Sequence, residues 1–208
     1  MLLILTGDIQ IGKTRWLQSS IERLEAAGVE CHGVVAPGIW TERADGTLDK
    51  LGIDNLLLPG HELVPFARRA DIAQKEGTFD KKSQAGRAQL RWHISDDSIA
   101  YVNEHFKMLQ KINVRHNDSH SNHVVLFVDE LGQLELLREE GLTEAMKLLS
   151  SGPKSIYSHA VVVARNLFRL PERVEELFSE AWGGCKRITP DEETFNEWFM
   201  PLIENDRS

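Results

Sequence analysis

Residues 1–17 read MLLILTGDIQIGKTRWL, and this stretch decides the fold. The apolar run Leu2 to Leu5 stops at Thr6-Gly7, a second glycine, Gly12, follows, and Lys13-Thr14 comes directly after it. A short, unbroken apolar run is the pattern of a strand buried on both faces, as in parallel sheets covered by helices. Beyond the loop, Trp16, Leu17, Ile21 and Leu24 recur at helical spacing and Gly28 supplies the stop. The segment therefore predicts strand, glycine-rich loop, helix.

Between them, Gly7-Asp8-Ile9-Gln10-Ile11-Gly12-Lys13-Thr14 satisfies the pattern G-x-x-x-x-G-K-[ST]. Glycines let the backbone curl so that successive N–H groups point inward, and the following helix adds the positive end of its dipole. Together they form a cup for phosphate oxygens. Lys13 is placed to reach the β- and γ-phosphates and the Thr14 hydroxyl to ligate Mg²⁺, with Arg15 counted among the residues lining the nucleotide. A coincidental Gly-Lys-Thr turn is the competing reading, and the strand and helix on either side weigh against it.

The rest of the chain alternates in the same manner. ECHGVVAPG is a second apolar run ending in Pro-Gly, and residues 33–69 change period, with Asp45-Gly46 and Pro59-Gly60 as turn signals between β-forming segments. This predicts an antiparallel meander, with Asp-Gly suited to a primed hairpin turn. Residues 70–91 read as charged surface loop with room for a short helix. Ser95 is expected to cap a helix through about Lys111, with Ile99, Val102, Phe106 and Leu109 inward. HVVLFVDELG and IYSHAVVVAR are further buried strands. Helices follow around 142–149 and from Pro171 to Trp182, and the C-terminus reads as a short strand with a closing helix. The expectation is one α/β domain over 1–208, built on a mainly parallel sheet flanked by helices, with the meander after the second strand.

Composition narrows the function classes. The 208 residues carry a formal charge of -8 with 41% apolar residues, an ordinary globular balance that argues against general nucleic-acid binding. No apolar run approaches the roughly 18 residues of a membrane-spanning helix. The two cysteines, Cys31 and Cys185, have no metal or redox spacing, which fits reduced thiols and a cytoplasmic setting.

The second half of the site is expected at VVLFVDELG. Asp129 falls at the carboxyl end of a buried strand, the edge where ligands sit in parallel sheets. There it can join Thr14 in holding Mg²⁺, while Glu130, pointing the other way, is placed as the general base for an attacking water. Simple helix capping by the same acidic pair is the alternative.

GDIQIGKT together with VVLFVDELGQLEL resembles the THEP1-type nucleoside-triphosphatases, whose second motif typically reads Asp-Glu-Ile-Gly-x-Met-Glu-Leu. Here it stands as Asp129-Glu130-Leu131-Gly132-Gln133-Leu134-Glu135-Leu136. The resemblance covers most of the chain in outline but is sharp only at the two motifs. It implies a RecA-like P-loop core and slow, Mg²⁺-dependent hydrolysis of several nucleoside triphosphates to diphosphate and phosphate. Residues 70–123 do not match.

Weaker signals surround these. Arg165, at the end of the third apolar strand, is the arginine expected to meet transition-state charge, with Arg68, Arg69, Arg87 and Arg91 as alternatives. Glu135 is either an orienting carboxylate for Lys13 or Glu130 or a helix-face residue. His116, His120 and His123 have a spacing compatible with a metal but read as a solvated connector. The five tryptophans show no basic-aromatic platform for single-stranded nucleic acid, while Trp40 or Trp92 is available to stack on a nucleobase. No Asn-Lys-x-Asp guanine-reading motif is present, so base recognition is expected to be loose. Two other functions stay open at this stage: a small-molecule kinase with the meander as acceptor lid, and a nucleotide-dependent switch whose hydrolysis is a timer.

Overall fold

The structure is a computed structural model that describes residues 1–8, 11–112, 123–129 and 131–205. Its elements, in chain order, begin with strand β1 (Leu2–Leu5), helix α1 (Lys13–Ala26), β2 (Glu30–Val35), β3 (Gly38–Glu42), β4 (Leu48–Leu58) and β5 (Glu62–Arg69). Then come α2 (Ala70–Glu76), α3 (Gln84–Arg87), β6 (Trp92–Ile94), α4 (Asp96–Gln110) and β7 (Val124–Val128). The chain continues with α5 (Gln133–Arg138), α6 (Thr143–Ser150), β8 (Tyr157–Val163), α7 (Leu170–Phe178), a 3₁₀ turn at Glu180–Trp182, β9 (Cys185–Ile188), α8 (Glu192–Trp198) and α9 (Met200–Asn205).

All nine strands join one sheet in the order β6-β5-β4-β2-β7-β8-β1-β9, with β3 paired to β4. From β2 to β9 every pairing is parallel, and from β2 outward to β6 every pairing is antiparallel. The parallel strands explain their own sequences. Alternate residues face opposite sides, and both sides are covered, so no polar alternation survives. Leu2, Ile4, Leu126, Val128, Ala160 and Val162 pack under Val102 and Phe106 of α4, Leu148 of α6 and Val174 and Phe178 of α7. Their neighbours Leu3, Leu5, Val125, Phe127, Val161 and Val163 pack under Leu17, Ile21 and Leu24 of α1 and Phe195 and Phe199 of α8 and its junction with α9.

The expected mainly parallel α/β sheet with an antiparallel elaboration is therefore the observed architecture, and the Ser95 cap is present, its hydroxyl accepting from the Ser98 N–H at 3.0 Å. Several local readings change. The Asp45-Gly46 turn is not primed. Gly46 alone has positive φ, 79°, and its N–H closes a turn onto the Arg43 carbonyl, so Ala44 and Asp45 keep ordinary backbone and Gly46 absorbs the left-handed step. Residues 70–91 hold two helices, α2 and α3, where a surface loop with room for one short helix was expected, and β6 follows them as the edge strand of the antiparallel run. The Pro171–Trp182 helix ends at Phe178 and finishes as a 3₁₀ turn, and the closing helix is two short ones.

The junction between the two halves of the sheet has a specific form. β4 pairs first with β2, Val35 opposite Leu56, and then with β3, Gly38 opposite Ile53. β2 and β3 thus lie end to end along the same side of β4, interrupted at Ala36-Pro37. Residues 48–55 of β4 consequently run past the carboxyl edge of the parallel strands by about 25 Å of extended chain. The antiparallel half overhangs the edge on which a ligand would sit.

Candidate functional site

Because β1, β2, β7 and β8 are parallel, their carboxyl ends share one edge. The loop after β1 carries Gly7, Asp8, Ile11 and Gly12. The end of β7 carries Asp129, and the end of β8 leads through Ala164 to Arg165. The register sets their spacing: Leu5 lies opposite Val163 on one side of β8, and Val128 lies opposite Val162 on the other. One strand therefore separates the loop from Asp129, or about 10 Å between strand ends. That is a crevice of suitable width for a polyphosphate, with Arg165 two residues beyond the strand that forms its floor.

The loop is shaped by its glycines. Gly7 has φ 132°, and a Cβ there would lie 2.5 Å from the Ile11 Cδ1 atom. Gly12 is the residue before α1, in the left-handed region at φ 91°, where other residues carry a steric cost. Lys13 does not extend into solvent. Its Nζ turns back across the loop and donates to the carbonyls of Gly7 at 2.9 Å and Asp8 at 2.6 Å. The lone early lysine is thus held at the mouth of the loop.

The helix behind it is left open to an anion. No side chain caps the amino end of α1 and no acidic residue lies in its first turn. Every other described helix of eight or more residues has at least one acidic residue there: Asp96 and Asp97 in α4, Glu144 in α6 and Glu172 in α7. The first turn of α1 itself thus supplies no carboxylate to the free N–H groups and the dipole. Next to the loop, the Thr6 hydroxyl oxygen is buried with no hydrogen-bond partner among the described residues. Thr14 is half-buried and Arg15 exposed.

Across the crevice, Asp129 is buried to 2% exposure. Its backbone N–H donates to the Val34 carbonyl at 2.9 Å, and its Oδ2 accepts from the Ala36 N–H at 3.0 Å. The break between β2 and β3 thereby positions the carboxylate. Sequence reading did not single out Ala36, although the Pro37-Gly38 punctuation marks the place. The donor set, one hydroxyl and one carboxylate, consists of hard oxygens, which suits Mg²⁺ completed by phosphate oxygens and water. Among the described residues no group of three or more His, Cys, Asp or Glu is arranged to hold a metal. Ile9, Gln10, Glu130, His116 and His120 lie outside the described residues. His123 bonds through Nδ1 to the Ser158 hydroxyl at 3.0 Å, at the opposite edge of the sheet.

Glu135 resolves in favour of structure. Its Oε2 accepts from the Gly132 N–H at 2.9 Å and its Oε1 from the Leu142 N–H at 3.0 Å. Both oxygens accept from backbone N–H groups rather than from Lys13, while Glu130, the other residue it was expected to orient, lies outside the described residues. Burial pushes its carboxyl above the usual range, with the Leu142 and Gly132 N–H groups opposing. Three of the four alternative arginines are ion-paired: Arg68 with Glu76 at 2.8 Å, Arg69 with Asp49 at 2.7 Å, and Arg87 with Glu140 at 3.0 Å. Arg91 lines a cleft with Arg69 on the overhang. Trp40, in β3, and Trp92, in β6, are likewise on the overhang, both beside the Lys50 ammonium.

No protein-family model matches the chain, and no curated protein matches its sequence. The fold is similar to the solution structure of a human cancer-related nucleoside triphosphatase, with a TM-score of 0.57 at 18% identity, over 97% of this chain and 95% of that one.

Proposed function

We propose that this protein hydrolyses nucleoside triphosphates to diphosphate and phosphate, in a Mg²⁺-dependent reaction with loose base specificity. The observation that carries the reading is the placement of Lys13. Its ammonium is folded over a glycine-bounded loop at the mouth of an uncapped helix, on the same sheet edge as the buried Asp129. The fold likeness to a nucleoside triphosphatase supports it.

In this account residues Gly7, Asp8, Ile9, Gln10, Ile11, Gly12, Lys13, Thr14 and Arg15 enclose the triphosphate. The loop N–H groups and the first turn of α1 donate to phosphate oxygens, and Lys13 exchanges the carbonyls of Gly7 and Asp8 for oxygens of the β- and γ-phosphates. Thr14 and Asp129 hold Mg²⁺, which when bound supplies positive charge to the phosphate oxygens. Glu130 follows Asp129 directly and takes the proton of the attacking water. Arg165, just beyond the strand between loop and Asp129, meets charge developing on the transferred phosphoryl group.

Phosphate release from a panel of nucleoside triphosphates, with and without Mg²⁺, tests the reading. Lys13→Ala is expected to lower turnover at least ~100-fold, about 2.7 kcal/mol of charge stabilisation. Equal rates in the variant and the wild type would refute the site. Release without an added acceptor separates hydrolysis from kinase chemistry.

A further inference from the structure

The overhang carries a second charged cluster, made of residues other than those of the crevice. At its tip an open cleft of about 410 Å³ is lined by Arg43, Asp49, Arg69, Ala70, Asp71 and Arg91. Arg43 lies seven residues beyond Ala36, on the order of 20 Å of extended chain from the Asp129 contact.

Arg69 organises the cleft. Its Nη1 donates to Asp49 at 2.7 Å, and its Nε and Nη2 donate to Asp71 at 2.6 and 3.1 Å. The second oxygen of Asp49 takes Arg43 at 3.0 Å. Hydrogen bonds from Arg69, and for Asp49 also from Arg43, hold both carboxyls below the usual range. Each carboxylate is therefore charged and committed to an arginine at neutral pH.

Three guanidiniums meet two carboxylates, and the surplus is localised. Arg69 spends its donors on the two aspartates. Arg43 uses one edge and is fixed in place by doing so. Arg91 forms no ion pair among the described residues, while its carbonyl is anchored by the Ala70 N–H at 2.9 Å. On a chain of net charge -8 such a preorganised excess is a local departure. Guanidiniums present paired N–H donors that match phosphate geometry.

We propose that this cleft binds a small phosphate-bearing anion, its phosphate group lying between the Arg43 and Arg91 guanidiniums. The site does not depend on the nucleotide loop. It is tested by calorimetric titration of full-length Lys13→Ala protein with inorganic pyrophosphate at low ionic strength. Removing the loop ammonium weakens binding at the loop, and Arg43→Gln and Arg91→Gln in the same background identify the heat that comes from the cleft. One saturable site per chain is expected, weakened ~10-fold or more by Arg91→Gln and by Arg43→Gln, and weakened further as salt rises. Arg91→Gln breaks no ion pair among the described residues, so an unchanged Tm accompanies its loss of binding. Absence of saturable binding, or binding indifferent to both substitutions, would overturn the proposal. So would tighter binding of a 12-residue single-stranded oligonucleotide than of pyrophosphate, which would make this face a strand platform. Phosphate release by the wild type reports separately on the crevice.

Discussion

The Asp129 carboxylate accepts a hydrogen bond from the Ala36 backbone N–H at 3.0 Å, where β2 parts from β7 and the antiparallel overhang begins. One contact therefore orients the acidic side chain of the crevice and satisfies a buried donor at the sheet's junction. The two functions separate by substitution. Asp129→Asn keeps an acceptor for Ala36 and is expected to change stability by less than about 1 kcal/mol while lowering phosphate release ~100-fold or more. Asp129→Ala strands the N–H and costs about 1–3 kcal/mol in addition. Denaturant melts and phosphate release on both variants check this.

Gly7 holds φ 132° with Ile11 against the place a Cβ would occupy. Gly7→Ala is expected to destabilise the fold by about 1–2 kcal/mol through backbone strain and to weaken nucleotide binding through distortion of the loop. The binding loss, measured by nucleotide titration at a temperature where the variant is fully folded, should exceed 10-fold. Ile11→Ala opens space but leaves the φ unchanged, so it should not restore Gly7→Ala.

Glu135 tests the division between structure and chemistry inside one motif. Glu135→Ala removes the acceptor of two N–H groups, Gly132 and Leu142, and is expected to cost about 2–4 kcal/mol. Phosphate release per folded molecule should stay within about threefold of wild type. A 100-fold loss in fully folded protein would return Glu135 to the catalytic machinery.

His159, at the opposite edge of the sheet, stands edge-on to Trp198 with ring centroids 5.8 Å apart. Burial, followed by the Met1 amine and His123, pulls its pKa down to about 4 from 6.5. The unfolded chain therefore takes up this proton first. The stability contribution is complete above pH 6.5, declines as pH falls toward 4, and is constant below that. Stability lost from this residue over that window should be about 1–3 kcal/mol. His159→Phe, which keeps the ring, should flatten the dependence of Tm on pH between 7 and 4.5.

The parallel half of the sheet was legible because its inner strands are buried on both faces. Leu2–Leu5 and Val124–Val128 cannot be read as amphipathic, and the glycine, acidic and arginine signals stand at their ends. The Ser95 cap was legible because it is local. What escaped is non-local. β6 is only Trp92–Ile94 and exists because Arg69 and its neighbours on β5 offer a ladder. The Asp45-Gly46 turn depends on how β3 and β4 twist, which the dipeptide does not specify. Trp40 and Trp92, 52 positions apart, meet across Lys50 only because β4 carries β3 on one side and β5 with β6 on the other. The role of Glu135 rests on Leu142, one helix away, and no spacing rule announces it.

The central claim is that the loop after β1 and the acidic end of β7 share one metal-bound polyphosphate. Electron paramagnetic resonance with Mn²⁺ in place of Mg²⁺, in the presence of a non-hydrolysable nucleoside triphosphate analogue, measures this directly. The account predicts one tight Mn²⁺ site per chain that appears only with nucleotide, loosened at least ~10-fold by Thr14→Ala and equally by Asp129→Asn. Mn²⁺ affinity unchanged in either variant, with nucleotide still bound, would contradict it.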